Sequence, residues 1–244
     1  MNSLRQVALL VRWQLRRQTQ LMPMLVIVQV ILAVATIIGY GLLIGEPSRQ
    51  SALYLVTGTP TIILVITGLV MTPQFLLAAK TEGSLDWMRT LPIPRSLFLA
   101  GDLFVWTLVG LPGMVLGLIA GVLRFDVNLS VTPWVIPVAA LISLTAAAVG
   151  YAVAILLPQV LAQMLTQLLV FVVLLFSPVS FPVDRMPDWL GVAHDFLPVQ
   201  PMAELMRATL AAGDFTVSGW SVAVLSIWCV ASVLAVLAAL RRRA

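Results

Sequence analysis

The chain has 244 residues, of which 61% are hydrophobic and only 10% charged. Soluble domains run at roughly 45–50% apolar and about 25% charged, so a single soluble core is excluded and much of this surface must meet lipid. The formal charge is +4, and one Cys (Cys229) with one His (His194) excludes a disulfide framework or a zinc cluster built within the chain.

At the N-terminus, Leu4, Val7, Ala8, Val11 and Leu15 recur at helical spacing, with Arg5, Arg12 and Arg16 on the other side and Trp13 as an aromatic anchor. This predicts an amphipathic interfacial helix over Leu4–Gln18, within an interfacial segment 1–22; a plain basic flank of the first span is the alternative. No cleavage site follows a short apolar core, so the first span is expected to stay. Six apolar stretches follow, each of the length of about 20 residues that a bilayer crossing needs: Met24–Ile44, Leu53–Ala79, Leu97–Leu123, Trp134–Leu157, Val160–Phe181 and Gly219–Leu240. Pro158 separates the fourth from the fifth, against a single long kinked helix, and Pro60, Pro73 and Pro112 are expected to kink spans two and three. The fold class is therefore all-α, a single six-helix transmembrane domain over 1–244.

Ten Lys and Arg fall on one side of this topology (Arg5, Arg12, Arg16, Arg17, Lys80, Arg89, Arg95, Arg241, Arg242, Arg243) and four on the other (Arg49, Arg124, Arg185, Arg207). The positive-inside rule puts the larger group, and with it both termini, in the cytoplasm. The pI of about 10.0 is then a topology signal rather than a nucleic-acid footprint, and no nucleic-acid partner is expected. Charge within the spans is nearly absent, Asp102 apart. Gln29, Thr67, Gln163 and Gln167 are the polar residues that could line a solute path, although such side chains more often bond their own or a neighbouring helix.

Catalytic motifs are missing. There is no phosphate loop, no H-E-x-x-H and no G-x-S-x-G turn, and His194 sits alone in an outer segment. The chain is not expected to be an enzyme or to bind a cofactor.

Two segments outside the spans are more organised than plain loops. On the cytoplasmic side, within 80–96, Ser84–Thr90 can form a short helix with Leu85 and Met88 on one face, stopped by Pro92 and Pro94; a partner-docking knob and an ordinary charged loop fit it equally. On the outer side, 182–218 holds Pro182, Pro187, Pro198 and Pro201 with Trp189, Leu190, Val192, Phe196 and Leu197 between them. It reads as short amphipathic pieces, followed by a helical stretch from Met202 to Ala212 that carries Glu204 and Arg207.

Together these segments resemble the membrane subunit of an ABC transporter, the type-2 exporter class of drug, antibiotic and polysaccharide export. Lys80-Thr81-Glu82-Gly83-Ser84-Leu85 is similar to the E-[RG]-G-[ST]-L-like run after span two. Phe181-Pro182 through Met186-Pro187-Asp188-Trp189-Leu190, then Leu197-Pro198 and Arg207, are similar to the run after span five. The resemblance implies a bacterial plasma-membrane permease that pairs with an identical or related permease subunit and engages a separate cytoplasmic ABC ATPase, which alone holds ATP and Mg. It implies that Glu82, Gly83, Ser84, Leu85, Trp87 and Arg89 form the ATPase-coupling helix. Arg5, Arg12, Trp13 and Arg16 would belong to a connecting helix near it. Pro182, Pro187, Trp189, Leu190, Pro198 and Arg207 would belong to re-entrant helices at an outer gate. Alternating access driven by the ATPase, moving a lipophilic or amphipathic solute such as a drug or antibiotic, is the expected mechanism. A secondary carrier, which would need charged residues at the midplane, and a non-transporting scaffold are the alternatives.

Overall fold

A computed structural model describes residues 11–13, 16, 22–45, 48–81, 83 and 95–242. Of the residues expected to couple to an ATPase, Glu82, Ser84, Leu85, Trp87 and Arg89 lie outside this set, as does Arg5 of the interfacial helix. Within it, Val11–Trp13 and Arg16 are helical, with Arg12, Trp13 and Arg16 exposed and Val11 packed on the apolar cluster at that end of the bundle.

Six helices among the described residues are long and apolar enough to cross a membrane, and the all-α polytopic class holds. We label the helices α1 (Met22–Ile44), α2 (Arg49–Ile66), α3 (Thr72–Thr81), α4 (Arg95–Phe125), α5 (Val135–Leu156), α6 (Gln159–Phe176), α7 (Asp188–Phe196), α8 (Val199–Leu210) and α9 (Gly219–Arg242). Helices α2 and α3 are one span, joined by a π-helical turn at Thr67–Met71. Short polar signals set the ends. The Ser48 hydroxyl accepts from the Ser51 amide at 3.2 Å and caps α2. Asp126 takes a positive φ of 48° to stop α4, a conformation that its short polar side chain tolerates. Gly83, at φ 71°, turns the chain just past α3.

The expected break at Pro158 is present: Leu157 is extended and α6 restarts at Gln159. The fifth span is shorter than the apolar run implies. It ends at Phe176, not Phe181, because the residue before a proline avoids the helical region; Ser177, ahead of Pro178, is extended. The next residues, Ser177 to Ser180, are buried in the bundle. Of the three prolines expected to kink spans, Pro60 and Pro112 lie in uninterrupted α-helix. Only Pro73, just after the π turn, accompanies a change of hydrogen-bond ladder.

The bundle is built around α4 and α5, which pack against the α2–α3 span, with α1 on α4 and α9 on α5. Small residues permit this closeness. Four glycines on one stripe of α4 face α1 and α2: a Cβ on Gly113 would lie 2.3 Å from Gln29 Oε1, on Gly117 2.6 Å from Ile63 Cδ1, on Gly110 2.9 Å from Leu64 Cδ2, and on Gly121 3.1 Å from Val56. Between α5 and the π turn the backbones themselves touch. A Cβ on Gly150 would fall 2.4 Å from the Gly68 carbonyl oxygen, and one on Gly68 2.6 Å from the Ala147 nitrogen. Lipid gives helices no hydrophobic reason to associate, so such close packing supplies the adhesion.

Burial is uneven. In the α2–α3 span 72% of the most apolar window is buried, against 17% in α6. The exposed side of α6 carries Leu161, Met164, Leu168, Phe171 and Leu175.

Gly150→Ala places its methyl against a backbone oxygen that cannot swing aside, so it is expected to destabilise the fold by about 1–3 kcal/mol. Gly39→Ala, with nothing within 4 Å, is expected to be neutral. Thermal unfolding in detergent compares the two; equal melting temperatures would refute the close-packing account.

Candidate functional site: a helical hairpin at one end of the bundle

The chain leaves α6, turns inward at Val179 and returns as the α7–α8 hairpin. A non-helical backbone inside an apolar layer needs every polar group satisfied by protein or water. Around this hairpin the fold supplies partners from four directions.

The first is Arg207. It lies on the buried face of α8, 5% exposed, and its Nη2 donates to the Val179 carbonyl at 2.9 Å. That carbonyl is pressed against α2, since a Cβ on Gly58 would lie 2.3 Å from it. The guanidinium carbon stands 4.1 Å from the centroid of the Tyr54 ring and 5.5 Å from that of Phe215. These two rings meet edge to face at 5.4 Å. No carboxylate lies within ion-pair distance of Arg207 among the described residues, so aromatic faces and a carbonyl receive the charge. Loss of water pushes the Arg207 pKa down to about 10, while Tyr54 and Glu204 push the other way. The group stays cationic at neutral pH. Because burial holds the folded pKa below the ordinary arginine value, the unfolded chain holds more protons between the two. The contribution of this group to stability therefore rises with pH across that window and is constant below it.

The second is the C-terminus of α7. A helix leaves its last carbonyls without internal partners. Here the indole N–H of Trp228 donates to the Phe196 carbonyl at 2.8 Å, and that of Trp220 to the Asp195 carbonyl at 3.2 Å. The rings of Phe196 and Trp220 stack edge to face at 5.9 Å. Trp228 is nine residues past Gly219, the first residue of α9, or about 13 Å along the helix. The end of α7 thus lies beside the first turns of α9.

The third is a polar relay at the hairpin bend. Gln200 Nε2 donates to Asp195 Oδ1 and to Glu204 Oε1, both at 3.0 Å, and Ser221 of α9 donates to the other oxygen of Glu204. The fourth is the α4–α5 loop, where the Thr132 amide and hydroxyl both donate to the Thr209 carbonyl, at 2.8 and 3.1 Å. The Ser130 hydroxyl accepts from Gly213 N at 2.8 Å.

Of the residues expected at this gate, Arg207 is buried at its centre. Pro182 and Pro198 are half-buried at the segment boundaries, and Pro187 precedes α7. Trp189 is exposed, and Leu190 supplies a backbone oxygen to His194 Nδ1 at 2.9 Å. His194 itself, dismissed from sequence as incidental, is buried on α7 with Nε2 3.4 Å from Ser177 Oγ, joining the hairpin to the turn after α6. Neither Trp220 nor Trp228 was singled out from sequence; their eight-residue spacing, which puts both on one face of span six, was the available signal.

The polar span residues divide. Gln29 is buried, its Nε2 donating to the Val109 carbonyl at 3.1 Å and to Thr67 Oγ1 at 3.3 Å, so Gln29 and Thr67 tie α1, α4 and the π turn together. Gln163 and Gln167 are exposed, one turn apart on α6. No group of three or more potential metal-binding side chains occurs among the described residues.

Arg207→Lys keeps a charge but loses the planar face and forked donors; it is expected to cost about 1–3 kcal/mol in thermal unfolding, with Tyr54→Leu costing less. Trp228→Phe keeps an aromatic ring and removes only the cap on Phe196. A loss of about 1–3 kcal/mol is expected, and a smaller one for the more exposed Trp220→Phe. Melting temperatures indistinguishable from the parent would contradict the capping assignment.

A family model, the ABC-2 type transporter, matches residues 5–211. No curated protein matches the chain. The matched region takes in the first five spans, the segment after α3 and the hairpin through Arg207, and stops before α9. With six apolar spans and a family model over most of its length, this chain belongs to the ABC-2 type transporter family and is a membrane-spanning permease subunit of an ABC transporter.

Proposed function

We propose that this permease subunit works in an ATP-driven exporter of lipophilic or amphipathic solutes, such as drugs or antibiotics, in a bacterial plasma membrane. It pairs with a second permease subunit, and a separate cytoplasmic ATPase provides the work through the segment from Glu82 to Arg89. Both termini then face the cytoplasm and the α7–α8 hairpin faces out, where it serves as the outer gate.

The observation that carries this reading is the face of α6. Only 17% of its most apolar window is buried, and the exposed side holds two primary amides, Gln163 and Gln167, among large apolar side chains. An amide in hydrocarbon without a partner costs roughly 2–7 kcal/mol. A helix that simply faced lipid would not carry two on one strip, so this strip meets a second subunit and the solute path between the two. Apolar residues with scattered amides suit a solute with an oily body and a few polar groups better than a small ion.

A reversible contact with an ATPase also accounts for what the subunit itself lacks. Its sequence has no nucleotide loop. Among the described residues of the spans the one buried carboxylate, Asp102, accepts from the Tyr151 hydroxyl, and no chain of acids and bases crosses the bundle.

Mild detergent extraction of the tagged chain is expected to bring an ATPase subunit with it, and Glu82→Lys or Leu85→Asp to release that subunit while the permease stays folded. Proteoliposomes holding the chain alone are expected to move no fluorescent amphipathic dye. Dye movement by the chain alone, or docking variants that keep the ATPase, would refute the reading.

A further inference from the structure

Span two is the most buried of the six, yet it is the one whose hydrogen-bond ladder is broken. At Thr67–Met71 the backbone widens to a π turn, and the Thr72 amide reaches back five residues to the Thr67 carbonyl. The cause is local: Pro73 has no N–H to give to Leu69, and its ring would press on that carbonyl in a regular helix. One extra residue in the turn removes the conflict. Single π turns of this kind are infrequent and concentrate where helices work.

Three observations give the turn a mechanical character. The surroundings of the two halves overlap but are not the same. Both pack on α5 and α6, and α3 reaches α4 through Phe75 on Trp106, whereas α2 packs along α4 and also on α1 and the hairpin helix α8. The contact of the turn with α5 is made by small residues on one side, with Gly68 on Ala146 and Ala147 and Gly150 on the Gly68 carbonyl, while Leu69 and Val70 join the apolar core and Thr67 accepts from Gln29. The turn also carries an unspent donor. Thr36, Thr57, Thr59, Thr107 and Thr145 each bond the carbonyl four residues back, whereas the fully buried Thr72 hydroxyl has no partner among the described residues. In a tightened turn the Gly68 carbonyl would be within its reach.

We infer that the π turn at Thr67–Met71 is a hinge, at which α3 swings against α2 while α2 stays fixed to the hairpin through Tyr54, Gly58 and Arg207. The swing is accompanied by rearrangement of the ladder beside Pro73. The hinge divides the span that carries the segment after Thr81 at one end and the Arg207 contact at the other. Its meaning for transport rests on the permease reading above. The hinge itself does not, since it is a motion within one chain that needs neither ATPase nor solute to be seen.

Paired spin labels on the full chain in lipid nanodiscs, diluted with unlabelled chain in a Cys229→Ala background, test it by electron–electron distance measurement. One pair, Ala78→Cys with Ala100→Cys, spans the mobile half; the other, Gln50→Cys with Arg124→Cys, spans the fixed half; all four sites are exposed. The first pair is expected to give a distance distribution at least twice as wide as the second. Removing one residue of the turn (deletion of Val70) together with Pro73→Ala restores a continuous α-ladder without rotating either half, and is expected to narrow the first distribution to the width of the second. Equal widths in the parent would overturn the hinge whether or not any variant folds. So would a broad first distribution that survives the deletion in a protein with a parental melting temperature. If the deletion does not fold, Pro73→Ala alone is expected to narrow the first distribution, and an unchanged width there would also overturn it.

Discussion

A backbone carbonyl in an apolar layer has to find a donor, and this requirement organises the molecule. Helices meet it internally over most of the chain. Where a helix stops inside the bundle, or a proline removes a donor, another element must reach in. Arg207 answers for Val179, Trp220 and Trp228 for the end of α7, and Thr132 for the end of α8. At Pro73 no side chain intervenes, and the ladder itself shifts by one residue. At the hairpin, the places where the chain departs from plain helix are thus the places held by long-range contacts, whereas the π turn is closed locally.

The same requirement explains an arginine with no carboxylate in ion-pair range among the described residues. An ion pair in this setting would remove two charges from water. Holding one guanidinium between aromatic faces leaves a single charge to accommodate, and its planar shape fits between Tyr54 and Phe215 while one edge serves the carbonyl. The acidic residues of the hairpin make their hydrogen bonds elsewhere, although Glu204 still acts on the guanidinium through its charge. Glu204 and Asp195 are occupied by Gln200, and Glu204 also by Ser221.

Spans, their number and their class were legible in the sequence because hydropathy over about 20 residues is a local property. Pro158 was a correct punctuation mark for the same reason. The far end of span five was misread because Val179 and Phe181 are apolar, and hydropathy does not distinguish an apolar residue in a helix from one in a buried turn; the Ser177-Pro178 pair held the information. Arg207 and the prolines of the hairpin were found through family likeness, but their partners were not. Which carbonyl an arginine serves depends on residues 28 and 153 positions away, and no periodicity carries that. The π turn was hidden in a run of apolar residues, with Pro73 as its single visible mark and two others, Pro60 and Pro112, that looked alike and did nothing of the kind. Gln29 and Gln163 were indistinguishable by type; one is core and the other surface because of the helices beside them.

The capping of α7 by two tryptophans has an implication for how the protein is made. Both indoles belong to α9, which follows α7 in the chain, so they leave the ribosome after the helix they serve. Until α9 has been inserted, the end of the newly made hairpin has only water or lipid headgroups for its carbonyls and must wait near the membrane surface. Completion of this hairpin therefore depends on α9, and a chain cut short before Trp220 keeps the Arg207 and Thr132 contacts but lacks both indole caps of α7.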